Sequence, residues 1–287
     1  MYNFPIGIIT DSFRTNVADA IKKAAKCGAN GVQMYATKGE LAPANMTPEK
    51  IAQVKTLLSD NGLKVSAICG DLGHGFGNAD LNPELIESSK RILMLAKELG
   101  TNIVTTHIGV VPTSKDHERY KIMQAACFEL AEFADSMDAH FAVETGPETP
   151  EVLKGFLDAL GSKGVAVNYD PANLVMVTNS DPVKGVYTLK DYIVHTHAKD
   201  GVHNFYVDPE IIYKVVPHII DDPNAPVGNS YEELPLGEGS VDFVKLLKAY
   251  EDIGYTGYLT IEREAGPDPE KDIMTAERYL RSVIAGN

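Results

Sequence analysis

Eight short apolar runs, each followed by a longer amphipathic stretch, repeat along the chain. The runs are 6–10 (IGIIT), 31–36 (GVQMYA), 64–70 (KVSAICG), 102–109 (NIVTTHIG), 141–146 (FAVETG), 165–170 (VAVNYD), 192–198 (YIVHTHA) and 257–264 (GYLTIERE). Their shortness and their β-branched and aromatic content mark strands buried on both faces, as a parallel sheet requires. Helical periodicity fills the intervals at 15–28, 47–62, 82–99, 117–139, 149–161, 181–190, 241–254 and 268–284. Gly28, Gly62, Gly100 and Gly254 stand where helices should stop before the next strand.

Eight uninterrupted strand–helix units predict a single-domain (β/α)₈ TIM barrel over residues 1–287, since barrels of ~250 residues form one domain. The alternative is an open doubly wound sheet. It would place a glycine-rich phosphate turn after an early strand, and the first turn here reads TDSFRTN, without GxGxxG. One connection is anomalous. Between strand seven and helix seven, residues 201–239 form a segment of 39 residues rich in Pro, Asp and Asn, with an apolar patch at Ile211–Val216. A loop of that length on the active face of a barrel reads as a lid or as the interface arm of a homo-oligomer; a structural excursion away from the site is the plainer alternative.

Charge narrows the partners. Lys and Arg total 26 against 40 Asp and Glu, a formal charge of −14. That balance argues against nucleic acid and against an anionic membrane surface. Cys27, Cys69 and Cys127 are widely spaced, without a CxxC, and read as reduced thiols of a cytoplasmic protein. The start, MYNFPIGIITDSF, has no signal-peptide pattern. No apolar stretch approaches the ~18 residues of a membrane span.

Barrel chemistry gathers at the C-terminal ends of the strands. Strand five ends in Glu144, six in Asp170, seven in His197 and eight in Glu262. With a period of two, Ala142 shares a face with Glu144, Asn168 with Asp170, His195 with His197 and Thr260 with Glu262. Val143, Val167, Val194 and Ile261 fall on the opposite faces, suited to packing against helices. Three carboxylates in one mouth repel each other, and burial makes that worse. A divalent cation removes the conflict, and three oxygens with one imidazole nitrogen suit Mn²⁺, Mg²⁺, Co²⁺ or Zn²⁺. Singly, each of these residues is more simply read as a satisfied structural group; four on successive strands point to one metal.

VETG around Glu144, NYDPANL around Asp170, HTHAKD around His197, TIERE around Glu262 and PLGEGSVDF at 235–243 resemble the xylose-isomerase-like barrels, often called the sugar phosphate isomerase/epimerase family. The resemblance covers nearly the whole chain and implies a sugar-acting enzyme. It implies one divalent metal held by Glu144, Asp170, His197 and Glu262, with Glu144 and Glu262 as an acid–base pair acting through a cis-enediolate. It also places His195 deeper in the barrel. Ketose 3-epimerases in that family carry His where this chain has Asn173, Arg where it has His203 and Glu where it has Pro150. The metal set therefore carries over better than the substrate contacts. A dehydratase resembling inosose dehydratase, or a lyase on 3-oxo-glycosides, begins with the same proton abstraction beside a carbonyl. Abasic-site endonucleases of the superfamily would use His107 as a ligand, but Asn173 replaces a required His and an Asp-x-His pair is missing. A non-catalytic sugar-binding barrel would need a vestigial ligand set.

Four further residues are candidates for substrate contact. Lys199 suits a hydroxyl, carboxylate or enolate oxygen, against the plainer reading of a Lys199–Asp200 surface pair. His74, in the GDLGHGFG loop, suits a pocket wall, against a solvated loop histidine. His107 and Asn173 stand at the ends of strands four and six. Arg263, of opposite parity to Glu262, reads as a brace of the barrel wall.

Overall fold

A computed structural model describes residues 2–213 and 226–286. Eight parallel strands close a barrel: β1 (Ile6–Ile9), β2 (Gly31–Tyr35), β3 (Lys64–Cys69), β4 (Ile103–Thr106), β5 (His140–Glu144), β6 (Val165–Tyr169), β7 (Ile193–Ala198) and β10 (Leu259–Ile261), with β10 between β7 and β1. Eight helices cover it: α1 (Val17–Lys26), α2 (Pro48–Asp60), α3 (Asn82–Leu99), α4 (Glu118–Ser136), α5 (Pro150–Leu160), α6 (Pro182–Leu189), α7 (Phe243–Asp252) and α8 (Pro269–Ala285). The expected barrel is the one observed.

Local chemistry sets the boundaries. Thr47, Thr149 and Asp181 accept from the first-turn amides of α2, α5 and α6, each followed by a proline whose fixed φ suits a helix start. Gly100 ends α3 in the left-handed region. Leu85, Ile86, Ile92, Leu93 and Leu95 form the buried face of α3, so the helical spacing in the sequence maps onto packing. Among the described residues, no helix is long and apolar enough to cross a membrane.

Strand register gathers the polar residues at one end. Glu144 pairs with Asn168, Asn168 with His195, and Thr260 with His197. Glu262 follows Ile261, whose partner is Ala198. A register shift between Val167 and Asn168 lets β6 and β7 bring these groups level.

The long connection contains regular structure that the sequence pattern did not announce. β8 (Asp200–His203) pairs antiparallel with β9 (Tyr231–Leu234), and a helical turn spans Pro209–Ile212. DGVH and YEEL lack the apolar alternation that signals a strand. The ribbon is fastened from below. The Asp200 carboxylate accepts four backbone N–H groups: Gly201 and Val241 at Oδ1, 2.9 and 3.1 Å, and Gly237 and Gly239 at Oδ2, both 3.0 Å. This explains the second glycine of PLGEGSVDF, since a Cβ on Gly239 would lie 2.1 Å from Asp200 Oδ1. Of the apolar patch at Ile211–Val216, residues 214–216 lie outside the described residues.

Candidate metal centre

Glu144, Asp170, His197 and Glu262 are all buried, and one potential ligand atom from each falls within 4.8 Å of all the others. His197 Nδ1 lies 3.5 Å from Glu144 Oε2, 3.5 Å from Asp170 Oδ2 and 3.2 Å from Glu262 Oε2. Atoms that share a small divalent cation at about 2.1 Å stand roughly 3.0–3.5 Å from one another in tetrahedral or octahedral geometry.

Neighbours orient each ligand. Asp170 Oδ1 accepts from the Asn173 amide at 2.8 Å, the cap of a short helical turn at Pro171–Asn173, and so turns Oδ2 into the cluster. Glu144 is held through both oxygens, by Asn168 Nδ2 at 3.1 Å and Asn173 Nδ2 at 2.9 Å. His197 Nε2 lies 3.2 Å from Gln33 Oε1, an acceptor, and 3.2 Å from Asn168 Nδ2, a donor. With the proton on Nε2, Nδ1 presents a lone pair to three carboxylate oxygens. Asp170 Oδ2 and His197 Nδ1 are buried and lack a hydrogen-bond partner. Two buried polar atoms without a partner, facing two more carboxylates, are a set that could hold a cation.

Without the cation, the ionisation equilibria report the same crowding. Burial opposes a charge on His197, but Glu262 and Glu144 outweigh it and push its pKa well above the usual value. Burial raises Asp170 to about 6 despite its contact with His197. For Glu262, burial is outweighed by Lys199 and His197, which hold it far below the carboxylate range. Lys199 is pushed well above its ordinary value, burial being overcome by Glu262 and Asp170.

Glu144, His197 and Glu262 line a cavity of about 500 Å³, with Asp170 fully buried behind them. Lys199 and Asn173 line it, as does His107. Lys199 is buried and donates to Glu262 Oε2 at 3.1 Å and Glu264 Oε2 at 2.5 Å. It does not form the surface pair with Asp200. His107 sits with Nδ1 3.1 Å from Asp71 Oδ2 and Nε2 3.6 Å from Glu144 Oε1. His74 is exposed and lies outside this cavity, in a neighbouring cleft. His195 is buried below the cluster, its nitrogens 3.0 Å from Asn168 Oδ1 and 3.1 Å from Thr260 Oγ1. Arg263 braces β9 and α8, bonding Glu233 Oε1 at 2.7 Å and Asp272 Oδ2 at 2.9 Å. The described part of the long connection supplies Ile212, Tyr213, Tyr231 and Glu233 to the cavity wall, so it covers the site. A larger cleft of about 1030 Å³ opens at the other end of the barrel, beside Lys64 and His195, away from the four ligands.

Sequence reasoning missed Gln33, Asp71 and Tyr213. Gln33 was legible as the polar residue inside GVQMY. Asp71 begins the loop after β3, and Tyr213 closes the Pro209–Ile212 turn; neither position carries a strand-end signal.

The chain is thus a closed α/β barrel with a buried three-carboxylate, one-imidazole cluster at its C-terminal mouth that could hold a metal ion. Residues 21–283 match the xylose isomerase-like TIM barrel family, and the chain belongs to it. An inosose dehydratase of Lacticaseibacillus casei is 27% identical over 148 residues, 50% of this chain and 47% of that protein. The chain thus matches about half the length of that relative. A xylose isomerase domain protein from Planctomyces limnophilus superposes with a TM-score of 0.77 at 23% identity, covering 100% of this chain and 99% of that one. A D-tagatose 3-epimerase-like protein gives 0.73 at 20%, covering 98% and 99%. Both structural likenesses establish the fold.

Proposed function

We propose that the protein is a divalent-metal-dependent isomerase or epimerase of a sugar or sugar derivative, and that Glu144, Asp170, His197 and Glu262 hold its single metal ion. The observation that carries this reading is His197 Nδ1, without a hydrogen-bond partner, set among three carboxylate oxygens, with Asp170 Oδ2 unpaired. A bound Mn²⁺, Mg²⁺, Co²⁺ or Zn²⁺ supplies Lewis-acid stabilisation of negative charge on a substrate carbonyl oxygen.

The protein's own groups supply the rest. Glu144 and Glu262 come from β5 and the end of β10, the two ends of the arc β5–β6–β7–β10. From those positions one carboxylate removes the proton beside the carbonyl and the other returns it from the opposite side, which inverts the carbon. Asn168 and Asn173 fix the rotamer of Glu144. Lys199 steadies Glu262 and offers N–H to a developing oxyanion. Tyr213 and Tyr231 shield the reacting carbon from water. The free thiols, two of the three buried, suit a cytoplasmic setting.

The likeness to an inosose dehydratase favours a second reading, in which the same proton abstraction is followed by loss of water. Incubating the metal-loaded protein with a panel of ketoses, aldoses and inososes in D₂O separates the two. An isomerase or epimerase returns a product of unchanged composition with deuterium at one carbon. A product lighter by one water would replace the first reading with the second.

A further inference from the structure

A second cleft, of about 610 Å³, adjoins the metal-site cavity. Asp71, His107 and Tyr213 line both, so the two spaces share a wall of three residues. The rings of His107 and Tyr213 stand side by side there, centroids 6.1 Å apart. Most of the remaining wall is the loop after β3, the GDLGHGFG stretch, together with Arg119 of α4.

That loop packs closely on its neighbours. A Cβ on Gly75 would lie 2.7 Å from the Ile108 carbonyl oxygen, and one on Gly77 would lie 2.9 Å from Arg119 Cδ. Glycine therefore lets the backbone press against the β4–α4 connection and against the Arg119 side chain. The polar groups that remain are the exposed His74 and Asn78, Asp71 and Arg119. Arg119 Nε is buried with no hydrogen-bond partner, although the same guanidinium pairs with Glu210. Imidazole, amide, carboxylate and guanidinium groups beside the apolar Ile108, Val110 and Met123, with one tyrosine, suit a ring that carries several hydroxyls and has apolar C–H faces. An apolar occupant would leave Arg119 Nε unpaired. Each space separately falls within the ~300–1,000 Å³ typical of a small-molecule site.

We infer that the substrate is a two-ring glycoside. The unit that reacts lies over Glu144, Asp170, His197 and Glu262, and the second sugar ring occupies the cleft between the glycine-rich loop and Arg119. This rests on the reading of the metal site as the reaction centre of a sugar enzyme, and it gives the exposed His74 a role at the outer ring.

Isothermal titration of the metal-loaded protein with matched sugars tests it: D-fructose against lactulose and turanose, and D-glucose against cellobiose and maltose. At least one two-ring sugar should bind tenfold or more tightly than its one-ring partner. His74→Trp, which fills the cleft from an exposed position, should erase that ratio, and Asn78→Trp should do the same. Both variants are checked for an unchanged melting transition, and either suffices if the other fails to fold. If no two-ring sugar binds more tightly, or the preference survives the tryptophan, the inference is overturned. A two-ring sugar that binds as expected but acquires no deuterium in D₂O keeps the cleft and sinks the isomerase reading. A one-ring sugar that turns over with no preference for the second ring does the reverse.

Discussion

His195 and His197 lie two residues apart on β7, with ring centroids 5.8 Å apart and planes at 89°. Both are buried, yet the barrel treats them in opposite ways. His195 is enclosed by neutral partners, Asn168 and Thr260, which use both its nitrogens; burial and the neighbouring His197 push its pKa well down. One layer higher, His197 has an unpaired nitrogen among three carboxylates and is pushed well up. A satisfied polar layer inside a barrel is architecture. An unsatisfied one, directly above it and charged, is a place made for something else. Asn168 joins the layers, its Oδ1 meeting His195 and its Nδ2 meeting Glu144.

Substitutions in the two layers should fail differently. Asp170→Ala or His197→Ala should lower bound metal from about one ion per chain to none, with activity lost and melting temperature little changed in the metal-free form. Elemental analysis of the purified variants decides, and full metal occupancy in either would erase the distinction. Glu144→Gln and Glu262→Gln keep an oxygen for the ion but lose the basic carboxylate, so turnover should fall by ~10²–10⁴ while metal affinity falls less. Steady-state rates at saturating metal measure this.

His195→Ala should do the opposite of the ligand variants. It leaves Asn168 Oδ1 and Thr260 Oγ1 unpaired around a cavity, for a loss of about 3–5 kcal/mol in stability with metal stoichiometry retained. Chemical denaturation beside elemental analysis reads both. Glu148 sharpens the comparison further, as a buried carboxyl outside the cluster. Burial raises its pKa to about 8, against one N–H from Val111 at 3.1 Å, and its Oε1 has no partner. The folded state therefore binds more protons than the unfolded state between pH ~4.5 and ~8, and stability must fall as pH rises through that window. Glu148→Gln keeps the acceptor for Val111 and removes the titration. It should gain on the order of 3 kcal/mol relative to the parent between pH 5 and pH 8, at ~1.4 kcal/mol per pKa unit. Melts across that range that stay parallel would show that Glu148 ionises without cost.

Most of the barrel and all four cluster residues were legible because two signals coincided. Short β-branched runs marked strands, and a polar residue at each of four consecutive strand ends had no apolar reason to be there. Parity alone separated Val143 and Val167 from Glu144 and Asn168. Residues whose roles depend on distant partners stayed hidden. Gln33 stood out as the polar residue inside GVQMY, but its partner, His197, shows only once β2 curves round to face β7. Tyr213 reaches the cavity only through the ribbon of β8 and β9, whose pairing joins residues about 30 positions apart and leaves no periodic trace. Lys199 read equally well as a surface partner of Asp200, because the sequence does not reveal that Asp200 turns away to bind backbone.

That turning away has a consequence for how the chain can vary. Asp200 clamps both ends of the excursion in one knot of N–H groups, from Gly201 on the outgoing side and from Gly237, Gly239 and Val241 on the return. The span between behaves as an exchangeable cassette. Its length changes closure entropy only logarithmically, and the barrel meets the same anchor whatever is inserted. Replacing what lies between Val202 and Leu234 is therefore a route to new selectivity at this mouth that leaves the four-residue cluster in register.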